Sequence, residues 1–97
     1  MSYPPRIVLQ LPLSDPDRLP AFVEACVREG VRLIAVTGVG CDKMEGMIDD
    51  LIVGDGSDQN RLRITTSSHP GETIDEVMEF ARVFAVSGPQ AIEVVKL

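Results

Sequence analysis

Basic charge is scarce in this chain: nine lysines and arginines stand against fifteen aspartates and glutamates, a formal net charge of −6. Nucleic-acid binding depends largely on basic side chains displacing counterions from phosphates, so it is excluded as a general activity. Long apolar runs are also missing. None approaches the roughly 18 to 20 residues that cross a bilayer, and the start, Met1-Ser2-Tyr3-Pro4-Pro5-Arg6, has neither the charged nor the apolar region of a signal peptide. The expectation is a cytoplasmic domain with no membrane partner. Cysteine and histidine are rare too, with Cys26, Cys41 and the single His69. Two cysteines are too few for a disulfide framework and read as free thiols. No C-x-x-C, H-x-x-x-H or H-E-x-x-H spacing occurs, and no cofactor is expected.

What is present describes an ordinary globular domain. The 97 residues, 44% hydrophobic and 25% charged, form one domain, residues 1–97, able to bury a core without disulfides or a structural metal. Four short apolar runs, Ile7 to Leu13, Val31 to Thr37, Leu62 to Thr66 and Ile92 to Leu97, alternate with three segments of helical periodicity. Such alternation is the signature of a parallel sheet with crossover helices, a three-layer βαβαβαβ domain of the α/β class. Right-handed crossovers leave two common strand orders, 3-2-1-4, as in half of a Rossmann fold, and the flavodoxin-like 2-1-3-4. The first two runs are continuously apolar and the last two alternate. Central strands are buried on both faces and edge strands are not, which favours 3-2-1-4.

The helix boundaries follow from local chemistry. Asp17 is the expected N-cap of the first helix, which keeps Pro20 in the first turn, and Gly30 closes it. The second helix presents Met44, Met47, Ile48, Leu51 and Ile52 on one face and stops at Gly54. The third opens with the capping box Thr73-Ile74-Asp75-Glu76, turns Ile74, Val77, Met78, Ala81 and Phe84 inward, and ends at Gly88-Pro89. Phe80, Val83 and Val86 fall off that stripe, either widening the contact with the sheet or forming the interface of a homodimer. Acid is concentrated between Asp42 and Asp58, where only Lys43 opposes it; the run reads as a solvated helix face and loop, or as a surface for a cation or a basic partner. Cys26 lies at helical spacing among Leu19, Phe22, Val23 and Val27 and reads as a core residue.

Reactive and small polar residues collect after the second and third apolar runs, at the carboxyl edge where parallel sheets bind ligands. Gly38 and Gly40 make a strand-to-helix turn or offer amide donors to an anion. Their spacing completes neither a dinucleotide fingerprint nor a Walker pattern. Cys41, in that turn, and His69, past the third strand, are the candidate catalytic nucleophile and base if the two strands are neighbours. Asp42, Thr65, Thr66, Ser67 and Ser68 are the candidate ligand-binding residues beside them. A metal reading would combine Cys41 and His69 with Asp42, Asp49 or Glu72, each from a different loop. No G-x-S-x-G elbow surrounds the serines.

The Gly38-Val39-Gly40-Cys41-Asp42 turn, the acidic Ile48-Asp49-Asp50 helix, and Thr65-Thr66-Ser67-Ser68-His69 before Glu72-Thr73-Ile74-Asp75-Glu76-Val77 together resemble a family of uncharacterised bacterial proteins of about 100 residues with a small Rossmann-like arrangement. The likeness covers residues 31 to 85, with one extra residue between the threonines and His69. It implies the fold and draws Cys41, Asp49, Asp50, Thr65, Thr66 and His69 together as a group, and it implies no reaction. The reading as a whole is a small binding or protein-interaction module that self-associates. Its rival is a thiol-dependent, metal or small-ligand site at the carboxyl edge of the sheet.

Overall fold

The computed structural model describes residues 3–84 and 91–97. Four strands, β1 (Arg6–Gln10), β2 (Leu33–Thr37), β3 (Thr65–His69) and β4 (Ile92–Val95), pair in parallel in the order β3-β2-β1-β4. Three helices connect them, α1 (Leu19–Arg28), α2 (Cys41–Val53) and α3 (Ile74–Val83). The first two crossovers step the same way along the sheet, and right-handedness puts α1 and α2 on one face. The third steps back across to β4, so α3 covers the other face. The architecture is the three-layer α/β arrangement in the 3-2-1-4 order that the apolar patterning favours.

Strand register determines which side chains share a face. Ile34 and Val36 align with Ile7 and Leu9 on β1 and with Thr66 and Ser68 on β3. Ile7, Leu9, Ile34 and Val36 form one core with Leu19, Val23, Cys26, Ile48 and Ile52 from α1 and α2. Val8, Leu33 and Ala35 point the other way and pack against Val77 and Ala81 of α3. Both central strands are therefore sandwiched, which is why they tolerate almost nothing but aliphatic residues.

Several boundaries differ from the sequence expectation for identifiable reasons. The third strand is the polar segment Thr65–His69 itself, not Leu62 to Thr66; residues Gln59–Arg63 form a 3₁₀ turn. The Thr65 amide donates to the Arg32 carbonyl at 2.8 Å, and pairing with β2 then runs to Thr37 opposite His69. Backbone bonds to one neighbour suffice at an edge, so an apolar side-chain run is not required there. Asp17 is not the N-cap of α1. The Asp15 carboxylate caps a 3₁₀ turn, Pro16–Arg18, by accepting from the Asp17 amide, and α1 starts after it at Leu19. Met47 is not in the core, being 45% exposed. α3 stops at Val83, where the Phe84 carbonyl accepts 2.9 Å from Nη2 of the buried Arg6. Gly88-Pro89, expected as its end, lies outside the described residues.

Other signals hold. Glu29 caps α1 with Gly30 following at φ 77°, Gly54 caps α2, and both bonds of the Thr73–Glu76 capping box form, at 3.2 and 2.9 Å. Arg61, from the 3₁₀ turn, closes the far end of α2: it donates to the Ile52 and Leu51 carbonyls at 2.7 and 2.9 Å and grips both Glu24 carboxylate oxygens at 2.5 and 2.9 Å. These charge-assisted bonds occupy carbonyls that a helix terminus otherwise leaves open. They hold the Glu24 carboxyl below its usual range.

Candidate functional site

Because the Thr-Thr-Ser-Ser-His segment is a strand, its side chains divide between two faces of the sheet. Thr66 and Ser68 point to the α2 face. Thr66 Oγ1 donates to Glu45 Oε2 and Ser68 Oγ to Asp42 Oδ1, each at 2.5 Å. Asp42 and Glu45 are three residues apart in the first turns of α2 and so lie on one side of that helix. The polar edge strand is thereby bolted to α2 by two hydroxyl–carboxylate bonds where an apolar strand would use methyl groups.

On the α3 face, Ser67 and His69 are consecutive inward positions of β3. Ser67 Oγ lies 2.9 Å from His69 Nε2, and His69 Nδ1 lies 3.0 Å from Glu72 Oε2. With the ring neutral, Nδ1–H donates to the carboxylate and Nε2 accepts from the serine hydroxyl. His69 is 5% exposed, and its ring meets the Phe80 ring edge-on, with centroids 4.6 Å apart. Both ring nitrogens and one ring face are thus occupied. The connectivity is that of a serine–histidine–carboxylate relay.

Cys41 lies on the opposite side of the sheet. Its side chain is 2% exposed and belongs to the core shared by α1 and α2, whereas His69 belongs with α3. The hydrogen-bonded Cys41–His69 pair expected from strand adjacency is therefore not assembled. Neither is the donor set combining Cys41, His69 and a carboxylate. Among the described residues, no group of three or more His, Cys, Asp or Glu side chains is arranged to hold a metal ion. Both cysteines are free and buried, and burial pushes the Cys26 thiol up to about 12.

The glycine turn has a packing explanation. A Cβ on Gly38, at φ 109°, would stand 2.9 Å from the Leu11 carbonyl oxygen, so a side chain there would drive the β2–α2 turn off the loop after β1. Gly40 is the left-handed N-cap of α2, at φ 83°, with open space around it. A hollow of about 420 Å³ separates this turn from Pro70 and Gly71, but Asp42 and Glu72 line it. Two carboxylates oppose the anion that a helix amino terminus otherwise attracts. Asp49 and Asp50, grouped with these residues by the family resemblance, are exposed farther along α2.

The other side of the turn carries a feature that the motifs do not mark. A hollow of about 340 Å³ opens between the loop after β1 and α2, lined by Leu11, Pro12, Leu13, Val39, Met44 and Met47 among others. At Pro16 and Met47 it meets a second, of about 390 Å³, lined also by Leu19, Pro20, Asp50 and Leu51. Together they form an apolar groove along α2. Val39, 98% exposed, stands at one end. The groove begins at the loop after β1 and the β2–α2 turn, at the carboxyl edge where open parallel sheets bind ligands. Its signals were the proline-rich segment from Pro12 to Pro20 and two methionines three residues apart, and each alone reads as turn and core.

On α3, Phe80 is half-buried against His69 and lies 6.2 Å from the Phe84 ring, whereas Val83 is 70% exposed. Val86 lies outside the described residues. No helix among the described residues is long and apolar enough to cross a membrane.

Residues 7–96 match the family model described as a domain of unknown function, DUF7684. No curated protein and no solved structure matches the chain.

Proposed function

The chain belongs to the DUF7684 family of domains of unknown function, and from that premise we propose that it is a small cytoplasmic protein-interaction module that binds its partner in the groove along α2. One observation carries this reading: the polar strand-end residues are bonded to one another, while the apolar groove beside them is open. Its two hollows lie in the size range of ordinary binding pockets. Proline supplies rigid walls, and methionine supplies adaptable surface that accommodates more than one side chain. Two buried thiols suit a reducing compartment.

Selection from a displayed library of twelve-residue peptides tests it. Peptides enriched on the wild-type protein should fail to bind Val39→Asp and Met47→Asp, both exposed positions whose substitution leaves the core intact, and should still bind His69→Gln. Equal binding to all the variants would overturn the reading.

Ser67, His69 and Glu72 support a second reading, as a hydrolase relay in which Ser67 Oγ adds to an acyl carbonyl while passing its proton to His69 Nε2, the imidazolium returns that proton to the leaving group as its bond to the acyl carbon breaks, and water then releases the acyl group from Ser67. Labelling of Ser67 by a fluorophosphonate, lost in His69→Ala, would favour it; no labelling of folded protein would remove it. Self-association through α3 rests on Val83, since Phe80 is largely occupied by His69. Unchanged sedimentation of Phe80→Glu and Val83→Glu variants would end that proposal.

A further inference from the structure

Charge around the groove specifies the chemistry of its partner, an inference that rests on the interaction-module reading. The second hollow is lined by Asp50, next in sequence to Asp49, and Pro16, where the two hollows meet, stands between Asp15 and Asp17. All four aspartates are exposed, and among the described residues none of them forms a salt bridge. The first hollow has Lys43 on its wall instead. The groove is therefore apolar along its length, with Asp50 on its wall at the α1 end, carboxylates flanking its middle at Pro16, and Lys43 on its wall near the Val39 turn, beside Asp42.

We propose that the groove binds a short amphipathic peptide segment of another protein, with apolar side chains in the two hollows on either side of Met47 and a lysine or arginine at the Asp50 end. Apolar anchors supply most of the affinity of such a segment and peripheral charge sets its direction and partner choice. A second copy of this chain fits poorly, because it carries a net charge of −6 and brings its own carboxylates to the same rim. Like charges facing each other across an interface are unfavourable. Nor does a free small anion fit, since the walls are mostly hydrocarbon.

Two peptides of matched apolar content separate the outcomes: one alternating pairs of leucines with pairs of lysines, the other with glutamates in place of the lysines. Each is titrated into ¹³C-methyl-labelled protein at low salt. The lysine peptide should shift the Met44, Met47 and Leu51 methyl signals, its affinity falling as salt rises. Asp50→Lys should weaken it by up to about fivefold, the range of one exposed charge pair. Met47→Asp should abolish the shifts for both peptides. Equal affinity for the two peptides, with shifts in the groove, would overturn the partner's charge while leaving the interaction module standing. Absence of groove shifts with either peptide would overturn both. Groove shifts that depend on protein concentration without peptide would assign the surface to a second copy and overturn the proposal.

Discussion

β2 and β3 are neighbours in one sheet, paired residue for residue, yet they are held in place by different physics. Every side chain of β2 is buried, and its aliphatic residues pack against helices on both faces. β3 contributes two threonines, two serines and a histidine, and only His69 is fully buried. Thr66, Ser68 and His69 are secured by hydrogen bonds to Glu45, Asp42 and Glu72, and Ser67 by one to His69. The contrast shows that a cluster of hydroxyls, carboxylates and an imidazole at a sheet edge serves as an attachment when each group is already bonded to another. Apolar surface left uncovered beside it then becomes the better candidate for recognition.

That comparison is sharpest where a central aliphatic side chain is removed. Ile34→Ala should cost about 3 kcal/mol, from lost transfer energy plus the cavity left behind, read as a lower urea midpoint at unchanged slope. On the strand's polar neighbour, His69→Ala should cost about 2 kcal/mol, since it breaks two hydrogen bonds and removes the Phe80 contact. A loss equal to that of Ile34→Ala would erase the distinction between the strands. Thr66→Val and Ser68→Ala should each cost about 1 kcal/mol or less, as one hydroxyl–carboxylate bond is lost at a half-exposed site.

At neutral pH the smallest effect is expected from the Cys26 thiol, which stays protonated in the fold. The unfolded chain ionises it from its ordinary value near 9 while the folded chain holds it until about 12. The unfolded state therefore binds fewer protons across that interval, and stability should fall as pH rises through it, having been fully present below. Cys26→Ala should flatten this alkaline limb in pH-dependent urea titrations. A limb of unchanged slope would remove the thiol as its cause. Cys41, also buried, should react with a disulfide reagent only as fast as the protein opens, and modification should accelerate with urea.

Much of the fold was legible in the residues. Continuous aliphatic runs marked β1 and β2 as central, and the Thr73 and Glu76 pair marked the start of α3, because burial on two faces and an unpaired helix terminus each demand particular side chains. β3 was displaced by three residues because an edge strand needs no apolar run, so Leu62 and Ile64 outweighed Thr65 to His69. That displacement decided the site. With His69 read as a loop residue it was free to approach Cys41; as the last residue of β3, aligned with Thr37, it faces α3. Strand parity turns His69 toward α3 while Cys41, at the start of α2, packs on the other face, and parity is known only once register is known. Glu45 was hidden for the same reason, as was the bond of Glu72, named only as a metal ligand, to His69, and the groove because it joins segments separated in sequence.

The most direct test compares the two sides of the β2–α2 turn in one binding assay. The affinity of a library-selected peptide would be measured by calorimetry for wild-type protein, for Met47→Asp, and for the double variant Ser67→Ala with His69→Gln, all verified as folded. Groove binding requires that Met47→Asp loses affinity while the double variant keeps the wild-type value. Retained binding in Met47→Asp, with loss in the double variant, would contradict it and return the function to the polar edge strand.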